Sequence, residues 1–199
     1  MWLISLLFLP LSAAATSSEP VPTTMPTPVP TFSPTNSAIP YGIQYNSVTE
    51  YDLKARGCSV CYFKAYAGNT NSDDISSCAG PVLFVGAHKY MHLSSIYLGA
   101  FGLASEVQRK TASNTPHLSN GVYWYFTSGK SFGFLGDTDL QQEPTADVGT
   151  TNPDSRLSWN LDNPYGGYRV GSQLNISDAT WYKAIWSCPN GTLQCTVSK

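Results

Sequence analysis

The three histidines are the first residues in this chain that could do chemistry. His88 and His92 are four residues apart, a spacing that would place both imidazoles on one face of a helix. Their segment borders an apolar, strand-like run, and no Glu follows the first His as in zinc metalloproteases. We therefore interpret His88, His92 and His117 as surface-loop residues, and we predict no metal site and no cofactor.

Four carboxylates lie close together in a second segment with chemical potential. They are Asp137, Asp139, Glu143 and Asp147. Their hard oxygen atoms suit Ca²⁺, but the rest of an EF-hand pattern is missing, and we interpret the segment as a solvated acidic loop. With His117, three of these aspartates could serve a secreted hydrolase, provided that a pocket brought two such groups together.

Aromatic side chains beside polar loops give the best indication of binding. The 199 residues include 5 Trp, 12 Tyr and 8 Phe, whereas 12% are charged and the net charge is -2. Such a chain lacks the basic surface that nucleic acid requires. Sugars present apolar C–H faces and hydroxyl edges, so glycan sites combine an exposed ring with Asp, Asn or Arg. The predicted ligand-binding residues are Asp154, Arg156, Tyr165, Tyr168 and Arg169.

Two further expectations concern the surroundings of these rings. The pair Gly166-Gly167 favours a turn that pushes Tyr165 and Tyr168 toward solvent, while Arg169 could equally pair with Asp162. Four of the tryptophans are expected to fill the core instead. They are Trp124, Trp159, Trp181 and Trp186.

The elements that must position these residues are mostly short strands. Segments 121–126, 131–135, 156–161, 167–170 and 180–186 are rich in aromatic or β-branched residues and are bounded by turn formers. The continuous apolar run at 81–86 indicates a strand buried on both faces. The best helical candidate runs from Leu98 to Arg109, and a short turn is expected at 73–77. This spacing predicts an all-β fold: a single antiparallel sandwich or barrel-like domain of about eight to ten strands.

The N-terminal segments have a different composition. Residues 1–15 form an apolar run that ends in Ala13-Ala-Ala15, which is typical of a cleaved secretory signal peptide. Residues 16–40 hold seven of the 14 prolines with six Thr and four Ser, and this predicts a disordered, O-glycosylated stalk. The β domain is expected at 41–189, followed by a tail at 190–199, with no membrane span.

In a secreted protein, the five cysteines are expected to form disulfides and two asparagines are candidates for glycosylation. The Cys58-x-x-Cys61 motif lacks the second pair that a zinc site needs, so we interpret these cysteines as disulfide partners. The odd number leaves one thiol over. In a eukaryotic source, Asn175-Ile-Ser177 and Asn190-Gly-Thr192 would accept N-linked glycans at the surface.

Several motifs also follow one another in a specific order. They are Cys61-Tyr-Phe-Lys-Ala-Tyr66 with Cys78, Asn120-Gly-Val-Tyr-Trp-Tyr-Phe126 with Ser131-Phe-Gly-Phe134, Arg156-Leu-Ser-Trp159, Gly166-Gly-Tyr-Arg-Val-Gly171, and Leu174-Asn175 before Trp181. This order, over residues 43–188, resembles a secreted β domain with Trp and Cys motifs that occurs in extracellular proteins of bacteria and invertebrates. The resemblance implies an extracellular, Trp-rich β domain and no particular reaction.

The same resemblance implies a disulfide pairing. It joins Cys61 to Cys78 and Cys58 to Cys188, and it leaves Cys195 as a free thiol. Spacing alone leaves a second connectivity open, in which Cys188 pairs with Cys195 and Cys58 is free. A free Cys195 on an exposed tail could link two chains.

These observations favour a secreted, non-enzymatic recognition or adhesion module whose partner is an extracellular glycan or protein. A structural matrix or coat component, crosslinked through Cys195 as a disulfide-linked dimer, is the first alternative. A secreted hydrolase is the second.

Overall fold

Two antiparallel β-sheets face each other in the computed structural model of the protein, which describes residues 38–89, 95–164, 166–174 and 178–189. This confirms the all-β antiparallel fold, here a sandwich, that the strand spacing predicts. Several predicted features lie outside the described residues. They are the signal peptide, the stalk up to residue 37, His92, Tyr165, Asn175, Asn190 and Cys195. Among the described residues, no helix is long and apolar enough to cross a membrane.

Five strands form the first sheet. In spatial order they are β1 (Ile43–Val48), β4 (Ile96–Leu103), β3 (Val82–Lys89), β11 (Trp181–Cys188) and β2 (Ser59–Ala65). The central strand β3 is buried on both faces from Val82 to His88, which confirms the expectation drawn from its continuous apolar run.

Six strands form the second sheet. In spatial order they are β10 (Gln173–Leu174), β9 (Gly167–Val170), β8 (Leu157–Asn160), β7 (Ser131–Leu135), β6 (Val122–Thr127) and β5 (His117–Ser119). All five strands predicted from aromatic and β-branched segments are present in the two sheets, with ends shifted by at most two residues.

Three short helices complete the described elements: α1 (Glu50–Ala55), α2 (Ser72–Ser76) and α3 (Ala104–Val107). Helix α2 confirms the turn expected at 73–77. The helix predicted from Leu98 to Arg109 is wrong, because β4 occupies the first part of that segment and only α3 is helical. A side chain at Gly99 would collide with the Phe84 ring, so this glycine allows the close packing of β3 against β4.

The main core lies between the sheets and is built largely from aromatic rings. Trp124 on β6 packs edge-on against Phe134 on β7, with ring centroids 5.4 Å apart. Trp159 on β8 lies 5.9 Å from Tyr62 on β2, so this contact joins the two sheets. The four tryptophans assigned to the core are at most 6% exposed, which confirms that assignment.

Helix α1 covers part of the outer face of the first sheet. Thr49 caps it: the Asp52 N–H donates to the Thr49 hydroxyl at 3.0 Å, and the Thr49 N–H donates to the Asp52 carboxylate at 2.8 Å. The helix buries Leu53 in a second apolar cluster that includes Phe84 and Trp186. This second cluster does not extend to the end of the sheet at which His88 and Tyr182 lie.

Two disulfides join distant parts of the chain. Cys58 bonds Cys188 across 130 residues, and Cys61 bonds Cys78 across 17. This is the pairing that the resemblance implies, and it excludes the alternative in which Cys188 pairs with Cys195.

Candidate functional site

The structure does not support a ligand site at the predicted arginines. Arg156 is fully buried and Arg169 is 3% exposed. Both lie beneath the loop 136–152, which packs its Leu140 against Tyr125 and Leu135 on the outer face of the second sheet. A ligand in solvent cannot contact these guanidinium groups, so the prediction that they bind one is wrong. The loop-rich sequence around these arginines had suggested exposure, but the loop 136–152 covers this face.

The Arg156 guanidinium instead holds the acidic loop in place. Its Nη1 donates to the buried Asp147 carboxylate at 2.9 Å and to the Asp139 carbonyl at 2.9 Å, and its Nη2 donates to Asp137 at 2.9 Å. The cation that these carboxylates bind is therefore a side chain of the protein. Neither Asp137 nor Asp147 belongs to a freely solvated acidic loop, which corrects that interpretation for these two residues.

The rest of the predicted set is scattered. Asp154 is exposed, and Tyr168 is half-buried with its ring 5.7 Å from the Arg169 guanidinium carbon. Arg169 donates from Nε to the Asp147 carbonyl at 3.5 Å, and its expected partner Asp162 instead accepts from Ser72. These residues do not converge on one surface.

The Gly166-Gly167 pair also has a different role from the predicted turn. Gly167 begins β9, and a side chain there would collide with the Tyr66 ring. The Tyr66 hydroxyl donates into the second sheet, to the carbonyls of Ser158 at 3.0 Å and Arg169 at 2.5 Å. Gly167 thus provides space for a buried tyrosine from the other sheet.

The residues of the hydrolase alternative have separate partners. His117 on β5 contacts Glu106, with 3.3 Å between its Nε2 and the carboxylate, while Asp137 and Asp147 bind Arg156. Asp139 accepts two bonds of 2.9 Å from the Gln141 amide. Over the described parts of the chain, no three His, Cys, Asp or Glu side chains are placed to hold a metal ion.

A partly exposed cluster of three stacked rings lies on the first sheet. It consists of Phe63 on β2, His88 on β3 and Tyr182 on β11, and we call it the aromatic platform. The Phe63 ring lies 4.9 Å from the Tyr182 ring and 5.7 Å from the His88 ring, while the last two are 5.7 Å apart. Interplanar angles of 12–25° make the three rings nearly parallel. Phe63 is 47% exposed, Tyr182 is half-buried and His88 is only 5% exposed, so the accessible ring area comes from Phe63 and Tyr182.

Strand register explains how three strands build this surface. Phe63 lies opposite Ala184 on β11, whereas His88 lies opposite Tyr182 and one strand farther away. A centroid distance of 5.7 Å between Phe63 and His88 therefore requires the Phe63 ring to lean across β11. The small side chain of Ala184, itself 1% exposed, leaves room beneath that ring.

The platform carries little charge at neutral pH but has charged neighbours. Burial lowers the pKa of His88, against smaller raising effects of the Lys89 carbonyl and the Glu50 carboxylate. The imidazole is thus neutral at pH 7. Glu50, the first residue of α1, pairs with Lys54 at 3.1 Å, and its charge acts on His88.

Sequence reasoning missed this platform because none of its members is near another in the chain. Phe63 stands two residues after Cys61, whose pairing is the only role that the sequence predicts for this motif. His88 is expected in a surface loop, but it lies in β3. Alternation along β2 and β11 could have placed Phe63 and Tyr182 on a solvent face. The register between the strands was needed to bring them together.

A buried amine lies on the opposite side of β11. The Lys183 side chain is fully buried, and its Nζ donates to the Gly68 carbonyl at 2.6 Å. The same nitrogen lies 5.9 Å from the Tyr66 ring and 6.0 Å from the Trp159 ring. Burial, with a smaller effect of Lys64, lowers the pKa of Lys183 to about 7.

This amine should make stability depend on pH. Between pH 7 and the ordinary value of 10.5, the unfolded chain binds a proton that the folded chain lacks, so the free energy of unfolding rises with pH. Above about pH 10 it should fall again, because burial raises the pKa of Tyr66 and Tyr125. We expect Lys183→Met to remove the rise between pH 7 and 10 and to leave stability at pH 6 unchanged or higher by up to about 2 kcal/mol.

Denaturant titrations at several pH values, with free thiols alkylated, measure this dependence. The exposed neighbour Lys64 supplies the matched control, and Lys64→Met should keep the rise. An unchanged rise in Lys183→Met would show that another group causes it.

Comparison with other proteins adds no relative to these observations: no family model, no curated protein and no solved structure matches this chain.

Proposed function

We propose that this protein is a secreted, non-enzymatic recognition module that binds glycans on the aromatic platform. The observation that carries the proposal is the near-parallel set of Phe63, His88 and Tyr182, with Phe63 half-exposed on the sheet surface. The proposed ligand is the class that the sequence predicts, but the proposed site lies on the first sheet and not at the predicted residues of the second sheet.

The geometry of the platform suits a sugar ring. The stacked rings hold Phe63 in place, and its exposed part offers an apolar surface against which the C–H face of a pyranose can pack, whereas a cage for a methylated ammonium group needs rings at steep angles. A neutral His88 keeps that surface free of charge at pH 7. The Glu50 carboxylate, whose charge acts on His88, can bind hydroxyl groups, the usual source of orientation and specificity.

Two further observations support an extracellular location. Cys58–Cys188 and Cys61–Cys78 are bonds that persist in oxidising compartments. The apolar N-terminal run ending in Ala15 and the Pro/Thr/Ser-rich segment after it have the composition of a signal peptide and a stalk.

The proposal is tested by removing the exposed ring. We expect the full-length chain to bind a subset of glycans on an array, and Phe63→Ala to weaken that binding at least about tenfold in calorimetry, because the stacking surface is lost. The protein should stay folded, since the ring is largely outside the core.

The control is Leu118→Ala on β5, a comparably exposed apolar residue on the other sheet. It should leave glycan affinity unchanged. An array with no bound glycan, or equal loss in both variants, would count against the proposal.

A further inference from the structure

We propose that two copies of this chain associate by antiparallel pairing of β2 with β2 at the edge of the first sheet. This association is independent of glycan binding. It would join the two five-stranded sheets into one continuous sheet and place the two aromatic platforms side by side.

The four sheet edges seen in the described part of the chain differ in how well they are protected. β5 has three residues and β10 has two. β1 is interrupted by a register shift between Tyr45 and Val48, and Asn46 adopts a left-handed conformation there. Short strands and irregularities are the usual protection against edge pairing. β2 has seven residues, and it exposes apolar Val60 and Phe63 at 43% and 47%.

The backbone at Phe63 is available for a further strand. The Tyr66 N–H donates to the Trp181 carbonyl across the β2–β11 pair. Because hydrogen-bonded and non-bonded pairs alternate in antiparallel sheets, Phe63 opposite Ala184 is a non-bonded pair, and its N–H and C=O point away from β11. The described residues place no strand on that side. An edge strand in this state is a template for strand addition.

A second copy fits this edge better than an arbitrary strand because of symmetry. With the two-fold axis at Phe63, the N–H and C=O of one Phe63 bond the C=O and N–H of the other, so both groups are satisfied reciprocally. In that register Lys64, the charged residue of β2, lies opposite Tyr62 of the second copy. Like charges therefore do not face each other across the axis, and two apolar rings do.

This pairing would also extend the ligand surface. Phe63 of the second copy would lie next to Phe63 on the outer face, so the two exposed rings would form one apolar surface. Such a surface would contact more sugar units than one platform does.

Sedimentation velocity of the full-length chain carrying Cys195→Ser tests the association without any disulfide link between chains and without glycan. We expect a reversible monomer–dimer equilibrium. Phe63→Lys would put two positive charges opposite each other, and it should raise the dissociation constant at least about tenfold. Leu118→Lys, the same change on the β5 edge, should not alter it.

The register is tested with single cysteines in the same background. Phe63→Cys should form a crosslinked dimer under mild oxidation, because the two copies meet at this residue, whereas Leu118→Cys should not. A chain that stays monomeric at all concentrations, or a dimer insensitive to Phe63→Lys, would overturn the proposal. Since no glycan is present, either result leaves the proposed function to be judged by its own experiment.

Discussion

Arg156→Ala should lower the free energy of unfolding by about 3–5 kcal/mol, the cost typical of removing one partner from a buried ion pair. Asp147 is fully buried and would lose its cationic partner. The Asp139 carbonyl and Asp137 would lose their donors as well. Urea unfolding followed by tryptophan fluorescence measures the change.

Two further variants test the cause of that loss. Adding Asp147→Asn should recover part of it, because the uncompensated charge disappears while the amide oxygen can still accept from the backbone N–H groups of Gln141 and Gly149. Asp154→Ala, an exposed position nearby, should change stability by less than about 0.5 kcal/mol. If Asp147→Asn recovers nothing, lost packing of the arginine stem explains the effect and the ion pair does not.

Removal of the Cys58–Cys188 disulfide is expected to cost roughly 4–5 kcal/mol, because it closes a loop of 130 residues. Removal of Cys61–Cys78, which closes 17 residues, should cost roughly 3 kcal/mol. Each pair is replaced by alanines in a Cys195→Ala background, so that no thiol is left to exchange. Denaturant unfolding of both variants gives the comparison.

The informative result is which of the two disulfides costs more stability when it is removed. The same cost for both pairs would mean that loop length does not control the stabilisation and that local strain or packing does.

The Cys58–Cys188 disulfide also joins the start of β2 to the end of β11, the strands that carry Phe63 and Tyr182. A Cys58→Ala/Cys188→Ala variant that still folds should therefore bind glycan more weakly if the platform is the site.

Local patterns along the chain were sufficient for most of the fold. The strands at 131–135 and 167–170 were predicted with their observed ends, because aromatic and β-branched residues between turn formers are typical of strands. The burial of Trp124 and Trp159 followed from the size and apolar character of these rings. The segment from Leu98 was misread, since the collision that excludes a side chain at Gly99 comes from Phe84 on another strand.

The candidate site was much less accessible to sequence reasoning. A charged residue in a loop-rich stretch is normally solvated, and that rule failed for Arg156 and Arg169 because a separate loop with its own carboxylates folds over them. The exposed rings were sought in the Gly166-Gly167 region, where the glycines in fact accommodate Tyr66. Nothing local distinguishes these two roles of glycine.

The sequence by itself determined the β architecture and the apolar core, because strand propensity and ring burial depend on the residue and its near neighbours. Its motif order, through the resemblance, also implied both disulfides. Only the tertiary structure decided which polar groups are enclosed and which rings reach solvent. Those outcomes depend on strand register and loop packing, which bring together residues as distant in the sequence as Phe63 and Tyr182.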